Sequence, residues 1–215
     1  MSVVSVVDEW LEWDSSGATL EIDGQQASVS VPGVSLEFRA EMVESVSARV
    51  AEGTSLLEAV GLVDDWASSK RVPRGEVCAD DVILVDASDT TEASRAVDVV
   101  KSVSALARGV RRVVAVAGSL DFTGSSDYDN LSAFGALMVR LNVTQVFAIG
   151  PGARALFLSV GMEGSWDGES QHCQDTATAY DDIRARIRPG DVLLVLGSTE
   201  QALSPLVGKL REGLA

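Results

Sequence analysis

Histidine is nearly absent from this 215-residue chain: His172 is the only one. A histidine-built metal cluster or a Ser-His-Asp hydrolase site is therefore a poor expectation. Cysteine is scarce too. Cys78 and Cys173 are too few for a disulfide framework and lack the spacing of a zinc site. Basic residues are outnumbered, 17 Lys and Arg against 32 Asp and Glu, for a net charge of −15. So acidic a chain lacks the clustered cations that neutralise nucleic-acid phosphates or dock on anionic lipid. No apolar run approaches the roughly 18 residues of a membrane-spanning helix. Residues Met1 to Trp10 carry neither the basic flank nor the cleavage site of a secretory signal, so the expected compartment is the cytoplasm. A phosphate-cradling loop of the form G-x-x-x-x-G-K-[ST] is also missing. The only Gly-Lys pair, Gly208-Lys209, is followed by Leu210 inside a helical pattern.

What is present suits a folded domain. Hydrophobic residues make up 46% of the chain, enough for a full core at this length. The acid is unevenly placed. Residues 1–69 hold 13 acidic and 2 basic side chains, net −11, while residues 70–215 hold 19 and 15, net −4. The step falls in a polar stretch, 68–75, that contains Pro73 and Gly75. It predicts two parts, 1–72 and 73–215.

In the first part, 19–22 and 27–31 alternate apolar and polar residues, as half-buried strands do. The turn dipeptide Asp23-Gly24 lies between them and predicts an antiparallel hairpin. From Glu41 the period becomes helical, with Met42, Val46 and Val50 four apart; Gly53 ends that helix and Ser55–Val60 starts another. In the second part, four short β-branched runs appear at 81–86, 112–117, 145–149 and 191–196. None alternates, as expected of parallel strands covered on both faces. Helical patterns lie between them: Ala96/Val99/Val103/Leu106, Leu131/Phe134/Met138/Leu141, Ala179/Ile183/Ile187 and Leu203/Val207/Leu210. The alternation predicts an α/β fold: a Rossmann-like, mostly parallel sheet with helices on both faces, preceded by a small α+β segment. Such sheets bind ligands beyond the carboxyl ends of their strands. Those ends carry Asp86 to Thr91, Gly118 to Asp121, Gly150 to Gly152 and Gly197 to Thr199.

Several local patterns admit two readings. Gly150-Pro-Gly152-Ala-Arg-Ala155 fits a loose dinucleotide fingerprint, but also a tight strand-to-helix turn, which is favoured because it follows the third strand run. The oxygen-rich stretch 86–94 could hold a ribose or a magnesium-bound phosphate. It equally resembles helix-capping chemistry, with Thr91 and Ser94 or Asp89 and Glu92 as partners, and the cap is favoured. His172 and Cys173 are adjacent, so in a strand they point to opposite faces and cannot act as base and nucleophile. Asp127 and Asp129 read as a helix start that favours the dipole.

Four segments, in order, resemble the Mur ligase family, in particular its D-alanyl-D-alanine-adding branch. Val82 to Ser94 resembles the family's strand ending in D-x-Y-N-A-N-P-x-S, with Asp86 on the Asp and Ser94 on the Ser. Gly118-Ser-Leu-Asp-Phe-Thr-Gly124 keeps the glycine spacing of G-D-M-x-E-L-G. Leu141 to Gly150 resembles L-G-I-d-x-v-f-x-v-G, and Arg188-Pro-Gly-Asp to Ser198 resembles R-P-G-D-x-V-L-V-K-G-S. The resemblance implies that 73–215 is the C-terminal Rossmann-like domain of such a ligase and 1–72 the tail of its central ATPase domain. It implies ATP-dependent amide-bond formation, with ATP and magnesium as cofactors where binding is retained. Asp86, Ser88, Asp89 and Thr91 would then face the nucleotide, and the loops with Gly118, Ser119, Gly124, Gly197 and Ser198 the substrate.

The departures are concentrated at charged positions. Ser88 to Glu92 replaces Y-N-A-N-P, Leu196 replaces the Lys before Gly-Ser, Thr199 the Arg after it, and Ser119 an Asp. Glycines that shape the scaffold remain while cations useful near phosphate are gone. The expectation is a non-catalytic Mur-ligase-like binding or regulatory module, with no catalytic and no metal-binding residues of its own. The alternatives are the closing half of a ligase whose P-loop lies on another chain or outside this stretch, and a small dinucleotide-binding protein. The expected partner is a protein, either a P-loop ligase half or a second copy.

Overall fold

The computed structural model describes residues 3–122, 127–162 and 166–215. They form two compact units, divided between Arg74 and Gly75. The first contains β1 (Ser5–Leu11), β2 (Ser15–Ile22), β3 (Gln25–Pro32), α1 (Leu36–Ala51) and α2 (Leu56–Ser68). The three strands form an antiparallel sheet in the order β1-β2-β3. Ile22 pairs with Gln25 across the two-residue turn Asp23-Gly24. Both turn residues have positive φ, 51° and 81°, the geometry that joins two right-twisted strands with least splay. Ser35 and Ser55 cap the helices, their hydroxyls accepting from Phe38 N (3.0 Å) and Glu58 N (3.4 Å). The core lies between sheet and helices: Leu20, Val29 and Val31 pack on Met42 and Val46 and on Leu56, Val60 and Val63. β1 has no counterpart among the expected strands. Its first five residues are exposed, so it shows no burial-driven alternation. α1 also begins five residues earlier than its apolar period, at the Ser35 cap.

The second unit contains β4 (Gly75–Val77), β5 (Ile83–Ala87), α3 (Ala93–Ala107), β6 (Val113–Ala117), α4 (Asp127–Arg140), β7 (Val143–Ile149), α5 (Arg154–Met162), β8 (Glu169–Cys173), α6 (Thr176–Arg186), β9 (Val192–Leu196) and α7 (Ser204–Gly213). Its sheet has the order β4-β5-β9-β6-β7-β8, parallel throughout except that β4 runs antiparallel to β5. The path from β5 to β6, β7 and β8 advances in one direction, so right-handed crossovers put α3, α4 and α5 on one face. The return from β8 to β9 puts α6 on the other, where it packs with α7. Under α6 and α7 lie Leu84, Val116, Phe147, Ile149, Leu193 and Val195, with Ile183, Leu206 and Leu210 from the helices. The four central strands are those read as apolar runs. β8, Glu-Ser-Gln-His-Cys, is a polar edge strand and escaped that pattern. The last inward residue of α3 is Ala107, buried, where the apolar spacing pointed to Leu106.

One buried ion pair joins the amino-terminal ends of the strands. The Asp191 carboxylate, 4% exposed, accepts from Arg112 Nε (3.0 Å) and Nη2 (2.6 Å) and from Arg188 N (2.8 Å). Arg112 Nη2 also donates to the Arg186 carbonyl at 2.7 Å. The backbone of the same aspartate accepts from Ile83 N at 2.9 Å. Removing one partner leaves the other charge uncompensated. Asp191→Ala is expected to lower unfolding free energy by about 3 kcal/mol in urea titration.

Candidate functional site

The carboxyl ends of β5, β9, β6 and β7 form one edge, and short backbone bonds bind their loops together. Thr90 O accepts from Gly197 N (3.0 Å), Gly197 O from Gly118 N (3.2 Å), and Thr91 O from Asp121 N (2.8 Å). Ser119 O accepts from Thr199 N at 2.8 Å, and the two side-chain hydroxyls share a hydrogen bond of 2.8 Å. Such close approach excludes side chains at two glycines. A Cβ on Gly118 would lie 2.0 Å from Ser198 Cβ, and one on Gly197 2.5 Å from Thr90 O. Glycine is therefore needed for loop-to-loop contact, as the sequence spacing suggested without showing which loops meet.

The edge brings together Asp86, Ser88, Asp89, Thr91, Gly118, Ser119, Gly197 and Ser198. Gly124 lies outside the described residues. Asp86 is half-buried and turned into its own loop: its Oδ1 accepts from Ser88 N at 3.1 Å, and its Oδ2 lies 3.7 Å from Arg211 Nη2. Arg211 in turn donates to Glu76 at 2.7 Å. That hydrogen bond, then the Glu76 charge itself and behind it the Asp86 charge, pushes the guanidinium above its ordinary value. Ser88 Oγ shares a hydrogen bond with Ser204 Oγ at 3.1 Å. Ser119 and Ser198 are each 8% exposed.

The capping expectation for this loop is corrected. The N-cap of α3 is Glu92, without a side-chain capping bond, and Ser94 Oγ donates to Glu92 Oε1 at 2.7 Å. The first turn is satisfied instead by the neighbouring strand loop, since Ala93 N donates to Asp121 O at 3.1 Å. Neither Thr91 nor Asp89 supplies the cap because the parallel bridge between Glu92 and Asp121 holds the chain extended there.

The Gly150–Ala155 turn is occupied by the chain itself. Gly152 N donates to Glu200 Oε2 at 3.0 Å, and a Cβ on Gly152 would lie 2.2 Å from Glu200 Oε1. The carboxylate uses the Gly152 backbone donor that this strand-to-helix turn presents. Sequence reading passed over Glu200 because its partner is 48 residues away. Arg211, and the contacts of the strand-end residues Asp121 and Thr199, escaped for the same reason. On β8, His172 Nε2 donates to Gly150 O at 2.7 Å, whereas Cys173 is buried in the α6 face. Burial, then the Asp182 carboxylate, pushes the Cys173 thiol up to about 11. Among the described residues no cluster of three His, Cys, Asp or Glu is placed to hold a metal ion. The described edge thus offers hydroxyls and carboxylates, and its backbone donors at Ala93, Gly118, Gly152 and Gly197 are already used.

The profile of the Mur ligase, glutamate ligase domain family matches residues 73–199. This chain belongs to that family. A 102-residue stretch is 35% identical to the UDP-N-acetylmuramoyl-tripeptide–D-alanyl-D-alanine ligase of Mycobacterium leprae, covering 46% of this chain and 20% of that one. The fold is similar to MurF of Acinetobacter baumannii, with TM-score 0.70, 17% identity, and 97% of this chain against 45% of that chain. It is also similar to the Thermotoga maritima MurF ligase solved in complex with ADP, with TM-score 0.63, 19% identity, and 98% against 46%. The chain therefore spans less than half the length of these relatives. No helix among the described residues is long and apolar enough to cross a membrane.

Three outcomes check this structure. Gly118→Ala is expected to destabilise by about 1–3 kcal/mol through overpacking. Gly208→Ala, in α7 with nothing within 4 Å of the added methyl, is expected to stabilise by about 0.5–1 kcal/mol in the same thermal and urea assays. Iodoacetamide at pH 8 should leave Cys173 unlabelled in the folded protein and label it after denaturation, as read by peptide mass spectrometry, because its thiol stays protonated well above that pH.

Proposed function

We propose that this chain is a non-catalytic Mur-ligase-like protein, a binding or regulatory module acting in cytoplasmic peptidoglycan precursor metabolism. The observation that carries the reading is the closed carboxyl edge. Nucleotide binding in such folds needs free backbone N–H groups or cations at strand ends. Here the N–H groups at Ala93, Gly118, Gly152 and Gly197 donate within the chain, and Glu200 fills the Gly150–Gly152 turn. The sequence has Leu196 and Thr199 where the family pattern has Lys and Arg, and no G-x-x-x-x-G-K-[ST] loop. On this reading the module works by contact with a protein partner.

A second reading is favoured by the hydroxyl-rich composition of the same edge. Ser88, Thr91, Ser119 and Thr199 would complete a nucleotide site whose cations come from a P-loop partner chain, making this the closing half of an ATP-dependent peptide ligase. Asp86 and Asp89 would contact ribose or magnesium-bound phosphate in that assembly. Activity would then appear only on mixing the two chains.

Thermal unfolding with and without excess Mg-ATP separates the readings. The melting temperature is expected to stay unchanged. Nucleotide at about 100 times its Kd would add about 2.7 kcal/mol, a rise of roughly 5–10 °C at this size. Such a rise, or ATP hydrolysis that Asp86→Ala abolishes, overturns the non-catalytic reading.

A further inference from the structure

The three-stranded sheet of the first unit has two edges, and the chain treats them differently. β3 is covered by α2, and Asp64 of that helix accepts from the edge amide of Ser30 at 3.3 Å. β1 pairs only with β2, and its outer side has no backbone partner among the described residues. Such a row of unpaired N–H and C=O groups is a template for another strand.

The side chains on this edge are not those of a plain solvent-facing strand. Val3, Val6 and Val7 are 79%, 45% and 51% exposed, and none joins the core of the unit. That core is complete without them, since Leu20, Val29 and Val31 are buried against the two helices. The ladder shifts between Val6 and Asp8, so Val7 has no counterpart in β2. A bulge of this kind re-aims a side chain instead of packing it.

Charge selects what can pair here. Seven Asp and Glu residues precede Arg39 in the sequence, and no Lys or Arg does. The sheet itself therefore carries negative charge only. Arg39, from α1, reaches Glu9 at 3.3 Å, and Asp8 lies beside the exposed valines. Two copies joined edge to edge would bring two wholly acidic sheets together, and like charges facing each other across a ladder destabilise it. A strand with Lys or Arg between β-branched residues meets the opposite condition. The same acids exclude one partner and admit the other.

We propose that the β1 edge takes an extended, lysine- or arginine-bearing segment of another protein as a fourth strand. Main-chain hydrogen bonds hold the segment, the valines pack its apolar side chains, and Asp8 with its acidic surroundings sets the sign of its charge. This gives a surface to the binding module proposed above and rests on that reading. The two fail separately. Stabilisation by Mg-ATP overturns the module and leaves the edge measurement untouched, whereas a failure of strand binding overturns only the present proposal.

The probe is a blocked peptide, three repeats of Lys-Val-Thr-Val with acetylated and amidated ends. The full chain, labelled with nitrogen-15, is titrated with it while the backbone amides are followed. Saturable shifts are expected in residues 3–9, at least tenfold tighter than with the counterpart carrying Glu for Lys, and weakening as salt is added. Replacing each Thr of the peptide by Pro keeps charge and apolar content but removes the ladder. That peptide should bind at least tenfold more weakly. Asp8→Lys should weaken the lysine peptide about fivefold with the melting temperature unchanged. Sedimentation of the chain alone is expected to show no association through these residues. The proposal is overturned by the absence of saturable shifts up to millimolar peptide, by shifts centred elsewhere, or by a proline peptide that binds as tightly. A concentration-dependent dimer that shifts the same amides overturns it too, by giving the edge to a second copy.

Discussion

The buried Arg112–Asp191 pair fixes the second unit. Three parallel strands begin beside it, and each is tied to it by a different atom: β6 through the Arg112 side chain, β9 through the aspartate itself, and β5 through the Asp191 carbonyl. The Arg112 contact to the Arg186 carbonyl adds the end of α6. Strand register in a parallel sheet is not set by a hairpin turn, because neighbours are far apart in sequence. A charged pair that accepts only one alignment supplies the missing constraint. Its partial burial makes it more a device of registry than of raw stability, since a well-packed apolar replacement could equal it in energy.

With the amino-terminal ends locked, the carboxyl-terminal loops converge within hydrogen-bonding distance of one another. This edge is where doubly wound sheets place their chemistry, and it is where this chain has closed on itself. The glycines at 118 and 197 permit the approach, and the hydroxyls of Ser119 and Thr199 stitch it. The family fold is thus preserved with the backbone donors of this edge bonded within the chain. Fold and site are separable properties in such architectures, and the proposed function rests on the packing of this edge more than on any one side chain.

Much of the fold was legible because physics leaves a trace in composition. β5, β6, β7 and β9 are covered on both faces and so read as unbroken apolar runs. The Asp23-Gly24 turn announced the hairpin that it forms. β8 and β1 left no such trace: one is polar at an edge, the other largely solvent-exposed. The candidate site was legible in outline, since strand ends could be placed from strand runs. Its contacts were not. Asp121, Thr199, Glu200 and Arg211 act through partners far along the chain, and no local spacing encodes that. The buried role of Asp191 was likewise invisible, because a carboxylate in a Pro-Gly-Asp turn looks like solvent-facing punctuation. The helix cap expected near Thr91 failed for a related reason: a tertiary bond from a neighbouring loop took the place of a local one.

Glu200 alters what the Gly150–Gly152 turn can offer a visitor. An arriving phosphate finds a rival carboxylate already tethered on the same chain, at a local concentration on the order of millimolar or above. Only the fraction of molecules in which that side chain has swung away is competent to bind, and apparent affinity falls by the same fraction. A partner that drew Glu200 into an ion pair of its own would lift this handicap without touching the turn. The loop would then respond to its neighbour through competition for a single anion.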